Sequence, residues 1–246
     1  MSSKKLVGTV TLNSVDGSYQ PDILDTNHPF VTNAVDLIKR LRAGVLTPLA
    51  YHDEVLKLTQ DPETKESLAP MVQQTLNEKC DQILYRRTGD THREAIQMFY
   101  LAANVLHPPH CHHNIISTQM MMAGEVHVRE YDRVARLSPT TILLRLKSDK
   151  WIGQGSALRA TETSGNCHWF GASDSPAVML NFNAYGYQDW TFNPPDKPLL
   201  RNLVDPTHGV NPDGLIIALE IDAITAYKKF GGRPLSDFPP QTVASN

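Results

Sequence analysis

The chain of 246 residues lacks several features that would decide its class at once. No apolar run approaches the roughly 20 residues that a membrane-spanning helix needs, so no membrane partner is expected. Charge of one sign is not in excess. Lys and Arg total 23 against 26 Asp and Glu, a formal charge of −3, and no basic stretch repeats along a face, so no nucleic-acid partner is expected. The N-terminal stretch carries a short basic cluster without the apolar core and cleavage site of a signal peptide, which leaves the cytoplasm as the expected location. Cysteine is scarce: Cys80, Cys111 and Cys167 form no spaced framework and leave one over, as expected of a reducing compartment with buried thiols. No internal repeat or low-complexity tract is present. The length suits one ordinary domain with an added subdomain.

Histidine, by contrast, is plentiful and clustered, with four of ten between positions 107 and 113. The surrounding pattern has two textures. From about Thr26 to Leu84 apolar residues recur at helical spacing, first as Phe30, Ala34, Ile38 and Leu41, closed by Gly44. A longer stripe runs from Leu68 through Thr75 and Cys80 to Leu84, opened by Asp61-Pro62-Glu63, and a shorter helix is expected over Leu49–Thr59. From Glu94 onward the runs are short and β-rich, broken by Gly, Pro, Asn and Asp. The expected strands are Ala95–Leu106, Asn114–Met122, Glu125–Tyr131, Thr140–Leu146, Ser156–Thr161, His168–Phe170 and Val178–Asn183. A loop-rich stretch follows Pro194-Pro195, then a strand over Gly214–Ile221 and a helix over Asp222–Lys229. Many short strands at this spacing predict an all-β barrel or jelly roll rather than βαβ units. The expected organisation is a mainly helical region over residues 1–90 packing on the barrel, a β-barrel over 91–221, and a C-terminal helix and tail over 222–246.

Within a strand, residues two apart share a face, so His110 and His112 can aim inward together while Cys111 turns away. After His112 come four residues, Ser117, six more residues and Gly124. Further on stands Gly165-Asn166-Cys167-His168, followed by the strand-like Pro176–Asn183. These two segments resemble the paired motifs of the cupins, in which His-x-His precedes a glutamate and a closing glycine, and Gly-x-x-His supplies a third histidine. Two departures are plain: the opening glycine is missing, and Ser117 replaces the carboxylate. The resemblance implies a mainly β fold, the cupin double-stranded β-helix or jelly-roll barrel, with a metal held by His110, His112 and His168. Imidazole suits iron, zinc, nickel or copper. Three histidines without a carboxylate leave positions open for substrate, as in catalytic sites. His113, Glu125 and Glu162 stand as candidates for a fourth ligand.

A cupin that keeps three histidines and lacks the glutamate is similar to the thiol dioxygenases. That resemblance covers roughly residues 84 to 195 and implies Fe(II) as cofactor, with Zn, Ni, Mn or Cu as alternatives. It also implies a small-molecule substrate, dioxygen as co-substrate and, as in many cupins, a homodimer. In that family an arginine upstream of His-x-His binds the substrate carboxylate; Arg87, with Arg86 as second choice, holds the matching position. Asn181 and Asn183 fall where the family carries a histidine and a tyrosine and are expected to contact substrate, with Ser117 and Gln119 supporting from behind the ligands. The loss of both ring groups removes the family's acid–base pair, and Ser117 removes its thioether crosslink. The implied activity is an Fe(II)- and O2-dependent oxidation of a small polar acid, a thiol acid first. A metal-dependent lyase, isomerase, cyclase or C–C-cleaving dioxygenase, and a non-catalytic binding module, are the alternatives. His107 is expected in a loop, His113 outside the barrel, and Met120–Met122 in sheet packing on both faces.

Overall fold

The computed structural model describes residues 28–87, 93–186 and 201–241. The order is three helices, α1 (Pro29–Arg42), α2 (Pro48–Gln60) and α3 (Pro62–Glu78), then nine strands. These are β1 (Gln82–Arg87), β2 (Arg93–Leu101), β3 (Leu106–His112), β4 (Ile115–Ala123), β5 (Glu125–Ser138), β6 (Thr141–Gly153), β7 (Ala157–Ala160), β8 (Cys167–Ala172) and β9 (Ala177–Tyr185). Two more strands, β10 (Arg201–Asp205) and β11 (Ile216–Glu220), precede α4 (Ala223–Phe230). This is the expected double-stranded β-helix with a helical N-terminal region. No helix among the described residues is long and apolar enough to cross a membrane.

Local chemistry sets the helix ends. Pro48 and Pro62 each open a helix behind a capping side chain: Thr47 accepts from the Ala50 N–H, and Asp61 from that of Thr64. Helix α3 stops at Lys79, whose φ of 54° is left-handed, so the stripe expected to continue through Leu84 breaks and Ile83, Leu84 and Tyr85 enter β1 instead.

One sheet runs β1-β2-β9-β4-β7, entirely antiparallel. In β2, β4 and β9 the even-numbered residues, among them Ile96, Met98, Ile116, Met120, Leu180 and Phe182, share a core with Phe30, Ile38, Tyr51 and Leu68 of the helices. Arg42 ties α1 down by bonding Glu94 at 3.0 Å and the Tyr185 carbonyl at 2.8 Å. On the same three strands Phe99, Met121 and Met179 face the other way and pack with Val126, Val128 and Phe170 of β5 and β8. Met120 and Met121 thus pack on opposite faces, as expected.

The second sheet closes as β10-β11-β6-β5-β8-β3. Strand β10 was not expected. It pairs with β3, setting Arg201 against His112 and Leu203 against His110, so the histidine strand is flanked on both sides. Strands β5 and β6 run several residues beyond their expected ends, because the hairpin continues through three register shifts after its apolar alternation stops. Trp169, Phe230 and Phe238 fill the space beneath α4.

His52 of α2 is buried against the helix-covered sheet, its Nδ1 2.7 Å from the Thr118 hydroxyl. Burial, followed by the nearby Arg159 charge, lowers its pKa to about 4. The folded chain therefore binds a proton here less readily than the unfolded chain, and stability is lost as pH falls from about 6.5 toward 4. We expect His52→Gln to remove a drop on the order of 3 kcal/mol from that window. Urea unfolding at pH 7 and pH 4.5 checks this.

Candidate metal centre

Strand β3 is buried along its whole length. Pro108 and Pro109 have no N–H for the ladder, and the β3–β8 register shifts between His107 and His110. Beyond the shift, His110 lies directly opposite His168, and His112 shares its face. That face is the interior between the sheets: the His168 ring lies 5.6 Å from Phe170, which packs against Phe99 across the gap.

His110, His112 and His168 form the group able to hold a metal ion, with one nitrogen from each lying within 4.8 Å of the others. All three are at most 1% exposed. The Nδ1 of His110 lies 3.1 Å from the Pro108 carbonyl, an arrangement in which Nδ1–H donates and Nε2 keeps its lone pair. That Nε2 is 3.1 Å from the Nε2 of His168. Two nitrogens bound at about 2.1 Å to one ion and at right angles would lie about 3.0 Å apart. The donor set and its spacing therefore fit a metal.

The candidate fourth ligands lie elsewhere. His113 Nδ1 is 3.0 Å from an Arg133 guanidinium nitrogen, Glu162 pairs with Arg133, and Glu125 is exposed at the start of β5. Among the described residues the metal-binding group contains no carboxylate. His127 stacks on Trp151 and bonds Asp149 at 2.6 Å, away from the group. His107 corrects its expected loop placement. It is buried in β3 and stacks on Phe170 at 4.9 Å, because the register shift turns it inward beside His110.

Both motif glycines have steric reasons to be glycine. Gly124 has φ +75° and a Cβ there would strike the Pro176 carbonyl; Gly165 has φ +57° and a Cβ 2.6 Å from the Arg159 carbonyl.

Ser117, Gln119, Asn181 and Asn183 share the inward face of the first sheet, where Ser117 pairs with Asn183 and Gln119 with Asn181. The Ser117 hydroxyl donates to Asn183 Oδ1 at 2.7 Å. Arg87 is not brought to this face. It is exposed, and its register partner Glu94 bonds the helix side, whereas Arg86 takes the inward register beside Ala95. The end of the stretch that resembles the thiol dioxygenases, residues 187–195, lies outside the described residues. Glu130 escaped the sequence reading as part of an expected strand end. It stands opposite His168, 5% exposed, and accepts from the Ser148 hydroxyl at 2.7 Å. Its even spacing from Val126 and Val128 was the signal.

Behind the ligands, Cys111 and Cys167 face each other across β3 and β8, with Cα atoms 4.0 Å apart, and form a disulfide on the side away from the histidines. Free buried thiols were expected; the direct register opposition joins them. Replacing both with alanine is expected to cost about 2–5 kcal/mol in urea unfolding. Thiol titration of unfolded, unreduced wild-type protein should then give one reactive cysteine, Cys80.

No protein-family model matches the chain, and no curated protein matches it. Solved structures resemble parts of it. Procruciferin, an 11S globulin from Brassica napus, is 16% identical over 39% of this chain and 21% of its own, with a TM-score of 0.29. An uncharacterised double-stranded β-helix protein from Klebsiella pneumoniae is 12% identical over 43% of this chain and 75% of its own, with a TM-score of 0.31. A cupin superfamily protein from Desulfitobacterium hafniense is 12% identical over 43% and 75%, with a TM-score of 0.29. The chain thus spans about a fifth of the globulin's length.

Proposed function

We propose that this chain is a metal-dependent oxygenase that uses Fe(II) and O2 to oxidise a small polar substrate, a thiol being the first to try. The observation that carries the reading is the buried three-imidazole group without a carboxylate. When bound there, iron would supply Lewis acidity and one-electron chemistry toward dioxygen. The chain's own part is positional. His110 and His168 are set opposite each other by the β3–β8 register, and the Pro108 carbonyl fixes the His110 ring. Burial between the two sheets keeps bulk water from the reacting groups. Neutral imidazoles leave the ion its full charge, which favours an anionic donor such as a thiolate or enolate.

One observation favours a second reading, non-redox lyase or isomerase chemistry at the same histidines. Asn181 and Asn183 stand buried on the inward face at the positions where the resemblance to thiol dioxygenases would put a histidine and a tyrosine, which speaks against that oxygenase chemistry and leaves Lewis-acid chemistry at the ion.

Metal analysis of the purified protein, joined to oxygen uptake against thiols, diketones and hydroxy acids, decides between them. Bound iron with thiol-dependent oxygen consumption is the expected result. Stoichiometric zinc without oxygen uptake for any member would sink the oxygenase reading and leave the second.

A further inference from the structure

The first sheet turns two mainly polar rows of side chains toward the histidine-bearing sheet. One row contains Ala95, Asn183 and Ser117; the next contains Gln97, Asn181 and Gln119. Farther along the same strands this face is apolar, with Phe99, Met179 and Met121 packed against Phe170. The face therefore changes from hydrocarbon to amide as it passes from Phe170 to the level of the histidines.

Three of these amide atoms are buried and have no hydrogen-bond partner among the described residues: Gln119 Oε1, Asn181 Oδ1 and Asn183 Nδ2. Their residues are 2%, 1% and 0% exposed. A buried polar atom without a partner is costly, so three on one face call for an outside partner. Ser117 already engages the other end of Asn183 and fixes its plane. All three groups are uncharged, and a carboxamide can offer either a donor or an acceptor. Among the residues of this sheet whose side chains are described, the guanidinium nearest in register is Arg86, which lies two strands from Asn183 on the half-buried edge strand. A carboxylate held against the amides would thus have no described guanidinium of this sheet beside it and only an ion at the histidines to offset its charge, a less favourable arrangement than for a neutral group.

We propose that Gln119, Asn181 and Asn183 form a recognition wall for an uncharged hydroxyl- or amide-bearing part of the substrate, and that this wall disfavours a carboxylate there. The proposal rests on the metal reading of the three histidines and narrows the substrate class within it. It replaces a charge clamp by neutral hydrogen bonding.

The test uses the full chain loaded with cobalt(II), so that neither turnover nor oxygen enters. Cobalt stoichiometry is measured first and checks the metal reading separately. Three thiols are then titrated against the cobalt absorption spectrum: 1-thioglycerol, 3-mercaptopropanamide and 3-mercaptopropionate. The two neutral thiols should bind about tenfold or more tighter than the acid, since a bond to a group left otherwise unpaired is worth roughly that factor. Gln119→Met with Asn181→Leu should abolish the preference while cobalt stoichiometry stays the same. Because the oxygen of each of these two amides lacks a partner among the described residues, that double variant should melt no lower than wild type; a large fall in Tm would show that the amides serve the fold and would overturn the proposal. Arg86→Gln should leave the order of affinities unchanged. The proposal is overturned if the acid binds best and loses affinity in Arg86→Gln. It is also overturned if the neutral thiols give no response on cobalt-loaded protein, or if the amide variant keeps the preference.

Discussion

Replacing His110, His112 and His168 together by alanine is expected to take bound metal from near one equivalent per chain to less than about a tenth, with the β-sheet circular dichroism retained. The expectation follows from the closeness of the group. Each nitrogen lies within 4.8 Å of the other two, and the described residues bring no further ligand to them. Any single replacement leaves two imidazoles and should weaken affinity by more than the 10- to 100-fold typical of losing an outer partner. His168→Ala is the most telling of the three, because it empties one strand of ligands while leaving the β3 pair intact. His127→Ala is the matched control. That histidine stacks on Trp151 at the surface, so metal content should not change. Elemental analysis after dialysis against a weak chelator reads both. Full occupancy in the triple variant would remove the site.

How far the sequence revealed this site depends on which periodicity carried the information. His110 and His112 were legible because a two-residue spacing in a strand means one face, and both glycines that flagged the motifs sit where a side chain would collide with backbone. His168 was legible only through its partner segment, and the structure supplies the reason for its place, a direct register opposite His110. Arg87 misled because counting residues upstream gives a distance along the chain but not a face. The shift between Ile83 and Tyr85 and the pairing of Arg87 with Glu94 decide the face instead. His107 misled for a related reason: two prolines read as a turn, yet β3 runs through them with a register shift. The disulfide was illegible for want of register, since the chain separates its cysteines by 56 positions. Strand β10 lacked a strong apolar alternation and owes its form to pairing with β3 and β11.

Changing Glu162 to alanine is expected to destabilise the protein by about 3–5 kcal/mol, although the residue binds no metal. Glu162 pairs with Arg133, and their side chains are 2% and 0% exposed. Its other oxygen accepts the Asn114 N–H at 3.0 Å, at a turn residue with φ 53° two positions after His112. Removing the carboxylate leaves the Arg133 charge buried near Arg136, with Glu220 engaged by Arg136 at 2.5 Å. Burial first, and Arg136 second, already bring the Arg133 pKa down to about 9. Between that value and the usual arginine range the unfolded chain binds the proton better, so this guanidinium costs stability below about pH 9 and the cost eases as pH rises. Losing the carboxylate lowers that pKa further, so the deficit of Glu162→Ala should shrink as pH rises toward about 9 and level off above it in urea unfolding. Glu162→Gln, which keeps an oxygen for Asn114, should lose less than the alanine variant. A double change, Arg133→Met with Glu162→Met, should recover most of the loss, since no charge is then buried alone. Metal affinity supplies the second readout: freeing the Asn114 turn loosens His112 and should weaken binding about tenfold in Glu162→Ala. If the alanine variant matches wild type in both stability and metal affinity, the ion pair is not what holds the β3–β4 turn in place.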